Sequence, residues 1–224
     1  MKLKVILFGS TGMIGQGVLI ECLNDIQIES VLVVNRKSSK IKHPKLKEII
    51  HADFFNLSPI TNQLNGYNAC FYCLGVTSAG LSEGEYLRNT FELTTKVAET
   101  VLSVNNNISF CYISGAGSDS TEKGKTMWAR VKGKTENTLL KMSFKKVYLF
   151  RPGFIQPLNG IKSRTKLYRT MYAIFKPFYF ILKHFESYVT TTEILGKAMI
   201  YAVTNGSEKN ILESKDINEM VKSK

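Results

Sequence analysis

The chain has 224 residues, 44% hydrophobic and 21% charged, with a formal net charge of +12 at pH 7. This composition is long enough and apolar enough to bury one full core, and with 5 prolines and no biased tract it shows no linker, repeat or low-complexity segment. The positive charge suits a phosphate-bearing cofactor, an anionic membrane or nucleic acid. Charge alone does not choose among them, and a solvated surface accounts for most of the basic residues.

The start, Met1-Lys2-Leu3-Lys4 and an apolar run, imitates a signal peptide, but Gly9, Ser10, Thr11, Gly12 and Gly15 interrupt the run and no small-residue cleavage site follows before Glu21. No stretch reaches the ~18 apolar residues of a spanning helix, so an integral membrane protein is disfavoured and a cytoplasmic location is expected. Leu3 to Phe8 reads as a first strand. Ile14, Val18, Leu19, Cys22 and Leu23 then follow at helical spacing. Further strands are predicted at Val31 to Val34, Ile49 to Ala52, Ala69 to Leu74, Ile108 to Ser114 and Lys146 to Phe150. Helices are predicted at Tyr86 to Leu102, Trp128 to Met142 and Glu193 to Val203, with a last strand near Asn210 to Leu212 and a terminal helix. This alternation predicts an α/β fold, a doubly wound parallel sheet covered on both faces, as one domain over 1–224. Residues 160–205 are expected to form a small C-terminal helical cover on the substrate side, because insertions after the sixth strand lie beside the strands' carboxyl ends.

The four cysteines, Cys22, Cys70, Cys73 and Cys111, show no disulfide or zinc spacing. Cys70 and Cys73 fall on one strand at an odd separation, which sends their thiols to opposite faces as small buried residues. His43, His51 and His184 are scattered, so no metal site is expected.

Gly9-Ser10-Thr11-Gly12-Met13-Ile14-Gly15 stands between the first strand and the first helix. In that position Gly9 permits a tight turn, Gly12 lets the backbone approach a pyrophosphate, and Gly15 lets helix and strand pack closely, while free N–H groups at the helix start face the anion. The second strand ends Val33-Val34-Asn35-Arg36-Lys37-Ser38, with no carboxylate where an NAD binder places one for its ribose. Arg36 can pair with a 2′-phosphate and stack on adenine, Lys37 and Ser38 adding donors, so NADP is favoured over NAD. The alternative is that Arg36 is only a solvated strand end.

With these residues the sequence resembles the short-chain dehydrogenase/reductase superfamily, particularly its atypical NAD-dependent epimerase/dehydratase and NmrA-like members. Further marks of the resemblance are Asp53 after the third strand, Leu74-Gly75-Val76-Thr77 after the fourth, Ser114-Gly115-Ala116-Gly117 after the fifth, Arg151-Pro152-Gly153-Phe154-Ile155 after the sixth, and the helix Trp128-Ala129-Arg130-Val131-Lys132. The resemblance implies a Rossmann fold. It implies cofactor contacts at Gly9, Thr11, Gly12, Met13, Ile14, Gly15, Arg36, Lys37, Asp53, Leu74, Gly75, Thr77, Lys132, Pro152 and Ile155, with Ser114 and Lys132 as catalytic candidates.

The superfamily's reductases carry Tyr-x-x-x-Lys on this helix, the tyrosine handing a proton to the substrate oxygen. This chain has Trp128 there, and an indole N–H donates a hydrogen bond but does not cycle protons near neutral pH. Ala116 or Ser118 could hold the serine's place instead of Ser114. Tyr86, Tyr168 or Tyr172 could replace the missing acid, or simply be core. The aromatic and basic stretch Tyr168 to Lys183 reads as a lid, an oligomer contact or a membrane-surface segment, with Pro177 breaking any single helix. Two functions are expected: an NADP-dependent oxidoreductase or epimerase-like enzyme on a small carbonyl or alcohol compound, or a non-catalytic NADP(H)-sensing regulator of a partner protein. A homodimer is compatible with either, and no nucleic-acid-binding signature is present.

Overall fold

Every residue of the first strand is cut off from water except the intermediate Lys4, as a strand covered on both faces requires. A computed structural model describes residues 2–161 and 187–222 of this chain. In it β1 (Leu3–Phe8) is an inner strand of a seven-stranded, all-parallel sheet. The other strands are β2 (Ile28–Asn35), β3 (Leu46–Ile50), β4 (Ala69–Tyr72), β5 (Ser109–Ile113), β6 (Lys146–Arg151) and β9 (Ile211–Glu213). The order β3-β2-β1-β4-β5-β6-β9 reverses direction between β1 and β4, and ligands of doubly wound sheets bind in the crevice outside the strand ends there. The expected Rossmann fold is the observed one.

Period-two alternation splits β1 between two cores. Val5 and Leu7 pack under α1 (Met13–Asn24), α5 (Thr192–Asn205) and α6 (Ser214–Lys222). Ile6 and Phe8 face the opposite layer, which holds a 3₁₀ turn (Ser58–Leu64), α3 (Leu93–Val104) and α4 (Met127–Lys141). Cys70 falls in that second core while Cys73 packs against the first, as their odd spacing requires. All four cysteines are free, and burial pushes each thiol up.

Several elements depart from the sequence prediction. The third strand lies at Leu46–Ile50 rather than 49–52, because pairing with β2 (Val31↔Leu46 to Asn35↔Ile50) sets its position. The helix expected from Tyr86 begins earlier, as α2 (Glu83–Leu87) capped by Ser82 and Glu85, and reaches α3 through a π turn at Arg88–Glu92. A separate two-stranded parallel sheet, β7 (Phe154–Gln156) with β8 (Val189–Thr191), was not anticipated. The stretch from Tyr168 to Lys183, with Tyr168 and Tyr172, lies outside the described residues. Thr192–Asn205, at the end of the expected cover, packs on α1.

Candidate functional site

The three glycines of the turn are needed for different reasons. Gly9 has φ +85°, and a Cβ there would stand 2.7 Å from the backbone carbonyl carbon of Cys73, across the switch point. At Gly15 a Cβ would come 2.1 Å from the Gly9 carbonyl oxygen. Gly12 is crowded by nothing, since its nearest neighbour would be that same oxygen at an ordinary 3.4 Å. The protein's own packing therefore accounts for Gly9 and Gly15 and leaves Gly12 facing open space.

Gly12 is also the N-cap of α1, and no side chain caps the helix and no acidic residue stands in its first turn. The opening amides, at Met13 and Ile14, have no acceptor one turn back, and with the helix dipole they favour an external anion. A cleft of ≈ 340 Å³ opens beside this turn, lined by Gly9, Thr11, Val34, Asn35, Arg36, Lys37, Ser38, Phe54 and Leu74. A second, of ≈ 200 Å³, shares Arg36, Phe54 and Leu74 with it and adds Asp53, Gly75 and Asn89. Gly9, Thr11, Arg36, Lys37, Asp53, Leu74 and Gly75 are thus brought together at one end of the sheet. Arg36 and Lys37 are exposed and make no ion pair among the described residues. Asp53 accepts from the Phe55 amide (2.9 Å) and so stays inside its own turn.

One residue of this region escaped the sequence reading. Glu48, from β3, reaches beneath the end of β2 and accepts from Asn35 Nδ2 (2.9 Å), Ser38 Oγ (2.6 Å) and the Ser39 amide (2.8 Å). Asn35 in turn accepts from Ser10 Oγ at 2.8 Å. The strand end lacks a carboxylate in sequence but gains one in space. It uses the Ser38 hydroxyl proton, so the expected role of Ser38 as a phosphate donor is corrected.

The second group gathers at the ends of β5 and β6. The Ser114 amide donates to the Phe150 carbonyl (2.7 Å) and the Ala116 amide to that of Pro152 (3.0 Å). Lys132 Nζ donates to the carbonyls of Ile113 (3.3 Å) and Ser114 (3.1 Å) and stands 5.2 Å from the centre of the Tyr112 ring. Ser118 Oγ donates to the Gly115 carbonyl (2.8 Å), so the 2.9 Å bond between Ser114 and Ser118 hydroxyls uses the proton of Ser114. To polarise a carbonyl, Ser114 must first give up that bond. Trp128 is partly buried, and a Cβ on Gly117 would lie 3.5 Å from the far edge of its ring, so the indole packs beside the loop after β5. Tyr86 is buried and Ile155 lies on β7, while the Thr77 hydroxyl accepts from the Ala79 amide at 3.2 Å.

Burial lowers the Lys132 ammonium to about 8, Glu136 one turn on opposing the shift. Below about pH 8 the folded protein bears the cost of a desolvated charge. As pH rises from there toward the ordinary 10.5, the folded state releases a proton that the unfolded chain keeps, so stability rises through that window. Lys132→Met should flatten this part of the profile, which denaturant titrations of both proteins from pH 7 to 10.5 will show.

Fold and site together define a Rossmann α/β protein with an uncapped glycine turn at the switch point. Known structures share this fold. A short chain dehydrogenase family protein from Francisella tularensis superposes with a TM-score of 0.64 at 14% identity, over 95% of this chain and 96% of that one. The Bordetella bronchiseptica enzyme WbmF in complex with NAD+ gives 0.68 at 13% identity, over 97% and 77%. UDP-N-acetylglucosamine 4-epimerase from Bacillus cereus gives 0.67 at 17%, over 94% and 77%. In sequence, the proteins named FMP52, mitochondrial, of Meyerozyma guilliermondii and Chaetomium globosum are 26% and 27% identical over 68% and 67% of this chain. The chain spans 65% of the length of these curated relatives. No family profile matches it. The relatives' names overturn the cytoplasmic location expected from the sequence. Among the described residues no helix is long and apolar enough to cross a membrane, and no group of His, Cys, Asp and Glu could hold a metal ion.

Proposed function

We propose that the chain binds NADP(H) and acts as an oxidoreductase or epimerase-like enzyme on a small carbonyl or alcohol compound, in mitochondria as its curated relatives are named. The observation that carries the cofactor is the cleft in which Arg36 and Lys37, two cations without an ion pair among the described residues, line the same wall as the glycine turn. The residues present fit a dinucleotide: Gly12 and the first amides of α1 would take the pyrophosphate, Arg36 and Lys37 the 2′-phosphate, Asp53 and Gly75 the adenine side, and Lys132 the nicotinamide ribose. When bound, the nicotinamide supplies hydride transfer. Around it, Lys132 holds a positive charge beside the Ser114 carbonyl, and the Trp128 ring stands next to Gly117 in the loop after β5.

Trp128 also favours a second reading, a regulator that binds NADP(H) and passes its state to a partner protein without turnover. A screen of carbonyl compounds with NADPH, on the wild type and on Trp128→Tyr, separates the two. Turnover in the wild type supports the enzyme. Turnover that appears only in Trp128→Tyr supports a site that binds its cofactor and lacks its acid, with rates raised by the ~10²-fold or more that a general acid contributes. A wild type that fails to bind NADPH at all removes both readings.

A further inference from the structure

Glu48, on β3, reaches under the positive turn and yet pairs with none of its cations among the described residues. Its carboxylate is directed instead at the turn's framework. Asn35 Nδ2, the Ser38 hydroxyl and the Ser39 amide all donate to it, and Ser38 Oγ accepts the Lys40 amide at 3.1 Å. Through Asn35 the same chain of bonds reaches Ser10 in the glycine turn, where both Ser10 and Asn35 are buried. Parallel pairing of Val33 with Glu48 fixes the carboxylate's height on the sheet, so the turn is held from a rigid strand rather than by its own contacts. Burial works to raise the Glu48 pKa, but the hydrogen bonds donated by Ser38, Ser39 and Asn35 outweigh it and lower the pKa, so the clamp stays ionised at neutral pH.

Resting on the NADP(H) reading above, we propose that Glu48 is a specificity-determining positioning residue: it clamps the Arg36–Ser39 turn so that Arg36 and Lys37 stand free and face an incoming 2′-phosphate. A carboxylate that merely repelled the phosphate would be directed at the cleft or would neutralise the arginine. This one satisfies three donors of the turn's own framework, and among the described residues it makes no ion pair with Arg36 or Lys37. The 2′-phosphate distinguishes NADP(H) from NAD(H), so loss of the clamp should be felt chiefly by the 2′-phosphorylated dinucleotide.

The experiment is a set of calorimetric titrations with NADPH and NADH on the 224-residue wild type, Glu48→Gln and Ser38→Ala, with circular dichroism to check the fold. Glu48→Gln should weaken NADPH about tenfold, as loss of a charge-assisted hydrogen-bond set does, and leave NADH within about twofold. Ser38→Ala, which removes one of the three donors, should give a smaller shift in the same direction. An unchanged NADPH-to-NADH ratio in Glu48→Gln, or tighter NADPH binding, overturns the clamp while leaving the cofactor reading intact. A wild type that binds neither dinucleotide overturns both.

Discussion

Gly12→Val should leave the protein folded and weaken dinucleotide binding on the order of 100-fold or more, since a branched side chain would fill the space beside the uncapped helix start. The folded state tolerates the change because a Cβ at Gly12 meets only the Gly9 carbonyl oxygen, at 3.4 Å. Gly15→Ala is the control with the opposite signature. Its Cβ would approach that oxygen to 2.1 Å, a contact that backbone must move to relieve, and the expected cost is about 3 kcal/mol of stability. Circular dichroism melts and NADPH titrations on both variants check the pair. Gly12→Val that binds normally would make the turn purely structural, and Gly15→Ala that melts with the wild type would contradict the close approach of helix and strand.

Arg36→Ala should weaken NADP(H) by about 1.5 to 3 kcal/mol, roughly 10- to 150-fold, and leave NAD(H) nearly unchanged. Arg36 is exposed, lines both clefts and has no internal ion pair among the described residues to lose, so its removal costs the free protein little. Parallel titrations of the two cofactors at low and high salt make the test. The NADP(H) preference should shrink as salt screens the pair, and equal affinities in the wild type would remove the 2′-phosphate reading.

Much of this arrangement is legible in the sequence because it is local. The glycine turn, the apolar run before it and the helical spacing after it fall within 24 residues, and β1, α1 and the strands near the centre of the sheet follow from period alone. What was missed depends on partners far along the chain. β7 and β8 are three residues each and pair across the intervening segment, so neither has a periodicity of its own. β3 is an edge strand in which Lys47 and Ile50 are exposed and Leu46, Glu48 and Ile49 half-buried, and its bounds come from β2. Glu48 lies 13 residues from Asn35, and only parallel pairing brings it under the turn. The sequence reading of Ser38 as a free donor failed for the same reason. At Ser114 the hydroxyl's partner, Ser118, was within sight four residues away, but the bond depends on the positive φ of Gly117 turning the loop back.

Helix α1 presents its amides to the cleft at one end, and along its flank it is locked to α5. A Cβ at Gly17 would fall 2.5 Å from Cβ of Thr192, and one at Gly196 2.8 Å from Cγ of Glu21. Two helices meshed this closely, each with a glycine set against the other's side chains, cannot slide or rotate past one another without backbone collision. The donors at the head of α1 are therefore set in depth and direction before any anion arrives. Little ordering entropy is left for binding to spend there, and affinity at the turn depends on the fit of the ligand.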